Sequence, residues 1–361
     1  MLRDILKLSE LHFLAGKKKK QMSKPKLIDL FWECTMTCNA KCKHCGSSAE
    51  NKKYSNELTT DEIKNAFLQI SKDMNAKKIL IMVTGGEPLT RQDLCEVMAY
   101  AKDLGFHWGL VTNGILLTEQ NIEKLKEAGM ETISISIDGI GETHNSFRGV
   151  NGCYETIVRN IENLKNANYV KHLQVTTIFH KENFNELEKV YSVMCGLGLD
   201  SWRIGTIDPI GRGRENDNLL LDGIEIKYIL DFIKVKNKEK KLRITYYCHG
   251  FLGLAYEKEV RGHYFNCRTG MDIASILYNG DIFVCPNVPR IPELIQGNVR
   301  SDNFADVWKN KFKQFRNKQR TSCDYCNSCE HWKYCLGGAM HTWDFEKNVQ
   351  NKCPYDIISN G

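Results

Sequence analysis

Three cysteines lie close together in the first eighth of this 361-residue chain. Cys38, Cys42 and Cys45 are separated by three and by two residues, and they follow an apolar run at residues 27–32. Thiolates so closely spaced on one loop are typical metal ligands, and a [4Fe–4S] cluster takes four of them when it is fully ligated by protein. Three would leave one iron open to another ligand. A zinc knuckle that recruits His44, and a chance spacing, are the alternatives.

The amino-acid composition indicates which class of protein this chain belongs to. Hydrophobic content of 42% and charged content of 26% are ordinary for a globular chain. The net charge of +6 is too small and dispersed to predict a nucleic-acid partner. We find neither a secretory signal nor an apolar run long enough for a transmembrane segment, so we expect a cytoplasmic protein. Fifteen cysteines in a reducing compartment then indicate metal ligation.

The pattern of hydrophobic residues predicts strands that alternate with helices. Helical patterns at residues 60–73, 92–104 and 118–128 lie between some of the predicted strands. Such alternation is typical of βαβ units and a parallel sheet, and six units are two short of a closed eightfold barrel. The predicted strands are residues 27–33, 78–83, 107–112, 132–137, 172–179 and 202–207.

The segments outside this pattern define the predicted domains. Residues 1–16 have apolar side chains at helical spacing and precede four lysines at residues 17–20. We expect a helix that closes the bottom of the barrel, followed by a solvated basic linker that ends at residue 26. A helix that binds a membrane surface or a partner is the alternative. The main domain then covers residues 27–239, and a cysteine-rich domain covers residues 240–361.

Polar residues and glycines mark the predicted ends of the strands, where barrels of this kind place their sites. Residues 84–88 read Thr-Gly-Gly-Glu-Pro, in which Glu87 is suited to accept from an ammonium group. Ser136 and Asp138 share one face of the fourth strand, and Arg148 is suited to bind a carboxylate through two hydrogen bonds. Each also has an ordinary structural interpretation: a tight turn, buried polar groups in a strand, and a surface ion pair.

The C-terminal third contains a second set of cysteines. Pairs two residues apart, followed by distant single cysteines, strongly indicate metal binding, and a structural zinc site is the alternative. The candidate ligands are Cys267, Cys285, Cys323, Cys326, Cys329, Cys335 and Cys353.

Together these motifs resemble the radical S-adenosylmethionine (SAM) superfamily with a C-terminal SPASM extension. The resemblance implies a partial (β/α)6 TIM-like barrel, a [4Fe–4S] cluster on Cys38, Cys42 and Cys45 that binds SAM, and one or two auxiliary [4Fe–4S] clusters. It also implies cleavage of SAM to a 5′-deoxyadenosyl radical that takes hydrogen from a substrate. The SAM-binding residues that it implies are Gly85, Gly86, Glu87, Pro88, Thr112, Asn113, Ser136, Asp138 and Arg148.

The resemblance leaves one auxiliary cluster incomplete. It implies that Cys326, Cys329, Cys335 and Cys353 complete one cluster. The other keeps only Cys267 and Cys285, because Ala339 stands where the family usually has a cysteine. Candidates for the vacant position are Cys323, Cys248 and His341, and we predict Cys323.

The resemblance also implies the general function. Most enzymes with this extension modify ribosomally made peptides or proteins by crosslinking, epimerisation or oxidation, so a peptide or protein substrate is our first expectation. Oxidation of a small molecule, such as a haem precursor, is the second. An iron–sulfur electron carrier is a third, from another class. An external reductant of the flavodoxin or ferredoxin type is the expected partner.

Overall fold

The computed structural model describes residues 2–316, 324–347, 349–350 and 353–360, and a parallel sheet forms its centre. All six predicted strands are present, with bounds that differ from the prediction by no more than two residues. Most of their inner residues are buried and the others are half-buried, as expected for a sheet covered on both faces. The strands are β1 (Asp29–Glu33), β2 (Leu80–Thr84), β3 (His107–Thr112), β4 (Thr132–Ser136), β5 (His172–Phe179) and β6 (Ser201–Thr206).

Helices connect these strands and cover the outer face of the sheet. The second helix has the predicted bounds, and Thr59 before it is the N-cap, which forms a capping box with Glu62. The mixed α/β barrel predicted from the sequence is therefore confirmed. Its helices are α2 (Thr60–Asp73), α3 (Leu94–Asp103), α4 (Glu119–Glu127), α5 (Glu142–Arg148), α6 (Cys153–Ala167), α7 (Leu187–Gly196), α8 (Arg212–Glu215) and α9 (Gly223–Glu239).

The sheet continues at both edges beyond the six predicted strands. At one edge β7 (Ile244–Tyr246) pairs in parallel with β6. At the other, β8 (Ile273–Ile276) pairs in parallel with β1, and β9 (Asp281–Phe283) and β10 (Gly297–Asn298) extend it antiparallel. The order is β10-β9-β8-β1-β2-β3-β4-β5-β6-β7. The cysteine-rich region therefore contributes strands directly to the sheet of the barrel.

The N-terminal helix α1 (Leu2–Ser23) differs from the prediction in length and in position. The predicted basic linker is helical, and Lys18 is buried, with its ammonium donating to the carbonyl oxygens of Phe265 and Tyr334 at 2.7 and 2.8 Å. Leu11 packs against aromatic residues of the C-terminal region. The buried contacts of α1 are thus with that region, and the expectation of a helix closing the barrel over a solvated linker is wrong.

Short elements make up the rest of the C-terminal region. None of the described helices is both long and apolar enough to cross a membrane. The remaining elements are α10 (Glu257–Arg261), α11 (Phe304–Asn310), α12 (Lys313–Arg316), α13 (Asp324–Ser328), α14 (Trp332–Cys335), β11 (Trp343–Asp344), β12 (Val349–Gln350) and α15 (Pro354–Asn360).

Candidate functional site

The loop that carries Cys38, Cys42 and Cys45 follows β1 at the C-terminal mouth of the barrel. Cys38 and Cys42 are buried and Cys45 is half-buried. Burial raises the pKa of the Cys38 thiol to about 11, and it also raises the pKa of Cys42. These sulfurs therefore hold their protons at neutral pH unless a metal replaces them.

The Gly-Gly pair after β2 makes close backbone contact with the segment that leads into this loop. A side chain on Gly85 would meet the Thr35 carbonyl oxygen at 2.3 Å, and one on Gly86 would meet the Thr37 carbonyl oxygen at 2.4 Å. The Gly86 amide donates to the Thr35 carbonyl at 2.8 Å. The observed close contacts of the glycine pair are with the cysteine-bearing segment, and the implied contact of Gly85 and Gly86 with SAM stays a prediction.

Glu87 is held by hydrogen bonds within the barrel mouth. It is fully buried, and its carboxylate accepts from the Thr112 hydroxyl and the Asn113 amide, both at 2.7 Å, and from the Leu89 amide at 3.1 Å. These bonds join the ends of β2 and β3, and the side-chain amide of Asn113 donates onward to Asn39 in the cysteine loop at 2.7 Å. The expectation that the Glu87 carboxylate also pairs with the SAM ammonium stays a prediction.

Arg148 and Asp138 form a buried ion pair beside the second cysteine. The guanidinium lies 2.5 Å from the carboxylate and donates to the Cys42 sulfur at 3.4 Å. Burial opposes ionisation of Asp138, but the guanidinium keeps its pKa below the usual value. Asp138 also accepts from the Ile178 amide at 2.7 Å, whereas Ser136 is half-buried at the end of β4. The pair therefore places a positive group against a sulfur that would carry negative charge as a ligand.

His44 serves as an aromatic ring in this loop. It stacks on Phe147 with 4.7 Å between ring centres, and Phe147 stacks on His180 at 3.8 Å. Burial lowers the pKa of His44 to about 3, so the ring is neutral at physiological pH. The zinc-knuckle alternative assigned this ring to a metal, but here the faces of the ring are used in packing.

Arg212, in the segment after β6, binds the cysteine loop through hydrogen bonds. Its guanidinium donates to the carbonyl oxygens of Cys42 at 2.8 Å and Ala49 at 3.0 Å. Gly211 packs so closely that a side chain there would meet the Cys45 carbonyl oxygen at 2.6 Å, and its φ of +53° also favours glycine. The observed contacts of Arg212 hold the loop.

These observations fit a site-differentiated [4Fe–4S] cluster. The loop presents three cysteines and small neighbours, Ala40 and Ala49, at the mouth of a barrel. A guanidinium offsets negative charge at Cys42. Backbone hydrogen bonds to the loops after β2 and β6 and to α5 fix the cysteine loop and the segment that leads into it.

A first group of C-terminal cysteines comprises Cys248, Cys267 and Cys285. The pKa of Cys285 is raised to about 12 by burial and, less strongly, by the neighbouring sulfurs of Cys248 and Cys267. Cys248 follows β7 and is one of the three candidates that the sequence offered for the vacant ligand position. Ala339 contributes no ligand, and the predicted ligand Cys323 lies outside the described residues.

A second group comprises Cys329, Cys335 and Cys353. Burial and the adjacent Cys353 sulfur raise the pKa of Cys335 to about 12, and Cys353 in turn interacts with Cys329. Cys326 is buried one turn before Cys329, whose amide donates to the Cys326 carbonyl at 3.2 Å. The predicted four-cysteine set is therefore brought into one neighbourhood.

Arg290 joins the cysteine loop to the C-terminal region. It follows Cys285 by five residues and forms an ion pair with Glu33 at the end of β1. It also donates to the Ser47 hydroxyl at 2.9 Å and to the Met36 sulfur at 3.3 Å. Glu33 is 1% exposed, so this contact is internal to the protein.

Comparison with known proteins agrees with this arrangement. The profile of the Radical SAM superfamily matches residues 32–194, and that of an iron-sulfur cluster-binding domain, SPASM, matches residues 267–330. An "AdoMet-dependent heme synthase" from Methanosarcina barkeri is 31% identical over 354 residues, which are 93% of this chain and 97% of the relative. The chain belongs to the radical SAM superfamily.

Other relatives of this radical SAM enzyme are named for different activities. An "Fe-coproporphyrin III synthase" from Methanosarcina barkeri is 33% identical, covering 88% of this chain and 84% of the relative. The "Mycofactocin maturase MftC" of Mycolicibacterium smegmatis is 29% identical, covering 87% and 78%.

Solved structures show the same fold. Native anSMEcpe with bound AdoMet and a peptide superposes with a TM-score of 0.73 at 20% identity, covering 93% of this chain and 95% of that one. Streptococcus suis SuiB bound to S-adenosylmethionine superposes with a TM-score of 0.68 at 17% identity, covering 87% and 73%. The family profiles and the relatives named as synthases and maturases show that the chain is a radical SAM enzyme with a SPASM iron–sulfur domain, so the non-catalytic electron carrier is excluded.

Proposed function

We propose that this radical SAM enzyme oxidises a tetrapyrrole that carries carboxylate side chains. The observation that carries the proposal is the near full-length similarity to a relative named as a haem synthase, together with the Fe-coproporphyrin III synthase and a "Pre-heme d1 synthase" from Dinoroseobacter shibae that is 25% identical. When bound, the SAM-ligated cluster supplies a 5′-deoxyadenosyl radical that removes a hydrogen atom from the substrate.

The chain's own residues have distinct parts in this proposal. Cys38, Cys42 and Cys45 hold the cluster, and Arg148 stabilises negative charge at the Cys42 sulfur. The two C-terminal cysteine groups hold the auxiliary clusters, with Cys248 as the third ligand of the first group.

Arg203 is our candidate for recognising a substrate carboxylate. It lies on β6 between the buried residues Trp202 and Ile204, so its side chain projects to the opposite face of the strand, and it is half-buried. Its guanidinium is 6.0 Å from the centre of the Tyr247 ring, and it interacts electrostatically with Cys248. Unlike Arg148 and Arg290, Arg203 is in no ion pair with another described residue. An anionic group of the substrate would complete its surroundings.

The test is substrate-dependent SAM cleavage by the anaerobically reconstituted, reduced enzyme. We expect iron coproporphyrin III to stimulate formation of 5′-deoxyadenosine, with a matching change in the mass of the porphyrin. In Arg203→Gln, we expect the KM for the porphyrin to rise roughly 10- to 100-fold, the effect of one hydrogen bond to a charged group.

Two controls define this experiment. Arg159→Gln changes an exposed arginine on α6 and should leave the KM unchanged. SAM cleavage without porphyrin should survive in Arg203→Gln. Stimulation by a peptide and by no porphyrin would contradict the proposal and favour the activity class named for the maturase relative.

A further inference from the structure

Two histidines and one aspartate converge at the mouth of the barrel, outside the cysteine groups. The His249 Nε2 atom lies 3.4 Å from one carboxylate oxygen of Asp208, and the His341 Nε2 atom lies 3.5 Å from the other. One possible ligand atom from each of the three residues lies within 4.8 Å of the others. His249 is 1% exposed and His341 is 5% exposed.

Three separate segments bring these side chains together. Asp208 follows β6, His249 follows β7, and His341 lies on the helical turn Met340–Thr342. Because the carboxyl ends of parallel strands meet at one edge, Asp208 and His249 lie at the end of the barrel that carries the cysteine loop. The residues that follow Asp208 pack against this loop.

We propose that Asp208, His249 and His341 bind one divalent transition-metal ion that is separate from the iron–sulfur clusters. Ligands at about 2.0–2.2 Å around a tetrahedral ion lie about 3.4 Å apart. Each histidine Nε2 atom is at about this distance from one of the two Asp208 oxygens, so one ion would be bound by both oxygens or by one of them after a small rotation of the carboxylate. The set of two imidazoles and one carboxylate suits Zn²⁺ or Fe²⁺ rather than Mg²⁺ or Ca²⁺. It leaves a coordination position for water or for an oxygen of the substrate.

The surroundings of His249 support a role as a ligand through Nε2. Its other ring nitrogen, Nδ1, is 3.3 Å from the Tyr246 hydroxyl. A hydrogen bond at Nδ1 orients a metal-binding imidazole and directs the lone pair of Nε2 to the metal. Tyr246 is buried at the end of β7, so this orientation is set by the sheet.

The geometry distinguishes this ion from the iron of a porphyrin. Four ring nitrogens occupy the plane around a porphyrin iron, which leaves only axial positions for protein ligands. Here three side chains from three segments converge on a single point, so they suit a free ion. The proposal therefore does not depend on a tetrapyrrole being the substrate.

The experiment measures zinc and iron in the same reconstituted protein, by mass spectrometry after incubation with zinc chloride and removal of unbound metal. We expect one zinc ion per chain in the wild type, and its loss in Asp208→Asn and in His341→Gln at unchanged iron content. The matched control is His107→Ala, which removes an exposed histidine that also contacts a carboxylate, that of Glu131 at 2.8 Å.

Three results would overturn the proposal: no zinc in the wild type, zinc retained in both variants, or zinc lost only together with iron. The first would leave an Asp–His ion-pair network, and the last would place the zinc in the cysteine sites. If His341→Gln does not fold, the nearly isosteric Asp208→Asn decides the result.

Discussion

The cysteine loop after β1 presents its three sulfurs within residues 38–45, whereas the first C-terminal group draws on residues 248, 267 and 285. In the loop, spacing along the chain already brings the sulfurs together, and tertiary contacts from Arg148, Arg212 and the glycine pair then fix its shape. In the C-terminal group, only the sheet brings Cys248, which follows β7, towards Cys267 and Cys285. Ligands that are close in sequence can be assigned from their spacing, whereas for the ligand gathered by the fold the sequence left Cys323, Cys248 and His341 as candidates.

The largest effect should come from the cysteine loop. Cys42→Ala removes one of three thiolates, and two cannot hold a cluster with one open iron, so we expect SAM cleavage to fall below detection. The measurement is 5′-deoxyadenosine formed by reduced, reconstituted protein. Cys95→Ala, on the outer helix α3, is the matched control and should keep wild-type turnover. If Cys42→Ala cleaved SAM as fast as the control, the assignment of the SAM-binding cluster to the cysteine loop would be wrong.

A partial loss should follow from Cys248→Ala. Three clusters correspond to about 12 iron atoms per chain, and loss of the first auxiliary cluster leaves about 8. We expect the smaller iron content, with SAM cleavage by the first cluster retained. Cys195→Ala, a half-buried cysteine of α7, serves as control. If Cys248→Ala kept the full iron content while Cys323→Ala lost a third of it, Cys323 would be the third ligand, as the sequence predicts.

Glu87→Gln tests how the cysteine loop is supported. The amide nitrogen of glutamine would face backbone N–H groups that now donate to a carboxylate, so we expect a loss of about 1–3 kcal/mol in the free energy of unfolding. Urea denaturation measures this loss. Glu96→Gln, an exposed glutamate paired with Lys64, should cost about 1 kcal/mol or less. Weaker SAM binding with an unchanged free energy of unfolding would instead indicate that the Glu87 carboxylate binds the SAM ammonium.

The smallest effect is expected for His44→Phe. The ring is neutral and stacked on Phe147, so phenylalanine should preserve iron content and SAM cleavage and change stability by about 1 kcal/mol or less. His44→Ala removes the stack and should be the less stable variant in urea. Loss of iron in His44→Phe at retained stability would indicate that a ring nitrogen binds metal.

The sequence predicted the elements whose signals are local. The six strands carry apolar runs between helical patterns, and the three cysteines of the first loop lie on one short segment. The sequence missed β7 and β8 because three- and four-residue strands give almost no periodic signal. It also missed the burial of Glu87 and Lys18, because each polar group is satisfied by partners from other segments.

Roles in the candidate site were harder to predict than positions. Arg212 and Arg290 were found at the cysteine loop only through the structure, since neither stands in a motif with a distinctive partner. Asp208, His249 and His341 are separated by many residues and carry no common spacing. For Arg212 and Arg290, the only signal in the sequence is that each follows a glycine or a cysteine, which does not predict a contact with the cysteine loop.

The pairing of β8 with β1 limits how this enzyme can be divided. A fragment that stops at the predicted boundary, residue 239, would leave residues 29–32 of β1 as an unpaired edge of a parallel sheet. Exposed edges of this kind recruit strands from other chains. The same cut would remove Arg290 and leave the carboxylate of Glu33 buried without its cation. The barrel and the cysteine-rich region therefore cannot be exchanged as independent modules, and a chimera with another member of the family should retain β8 together with its own β1.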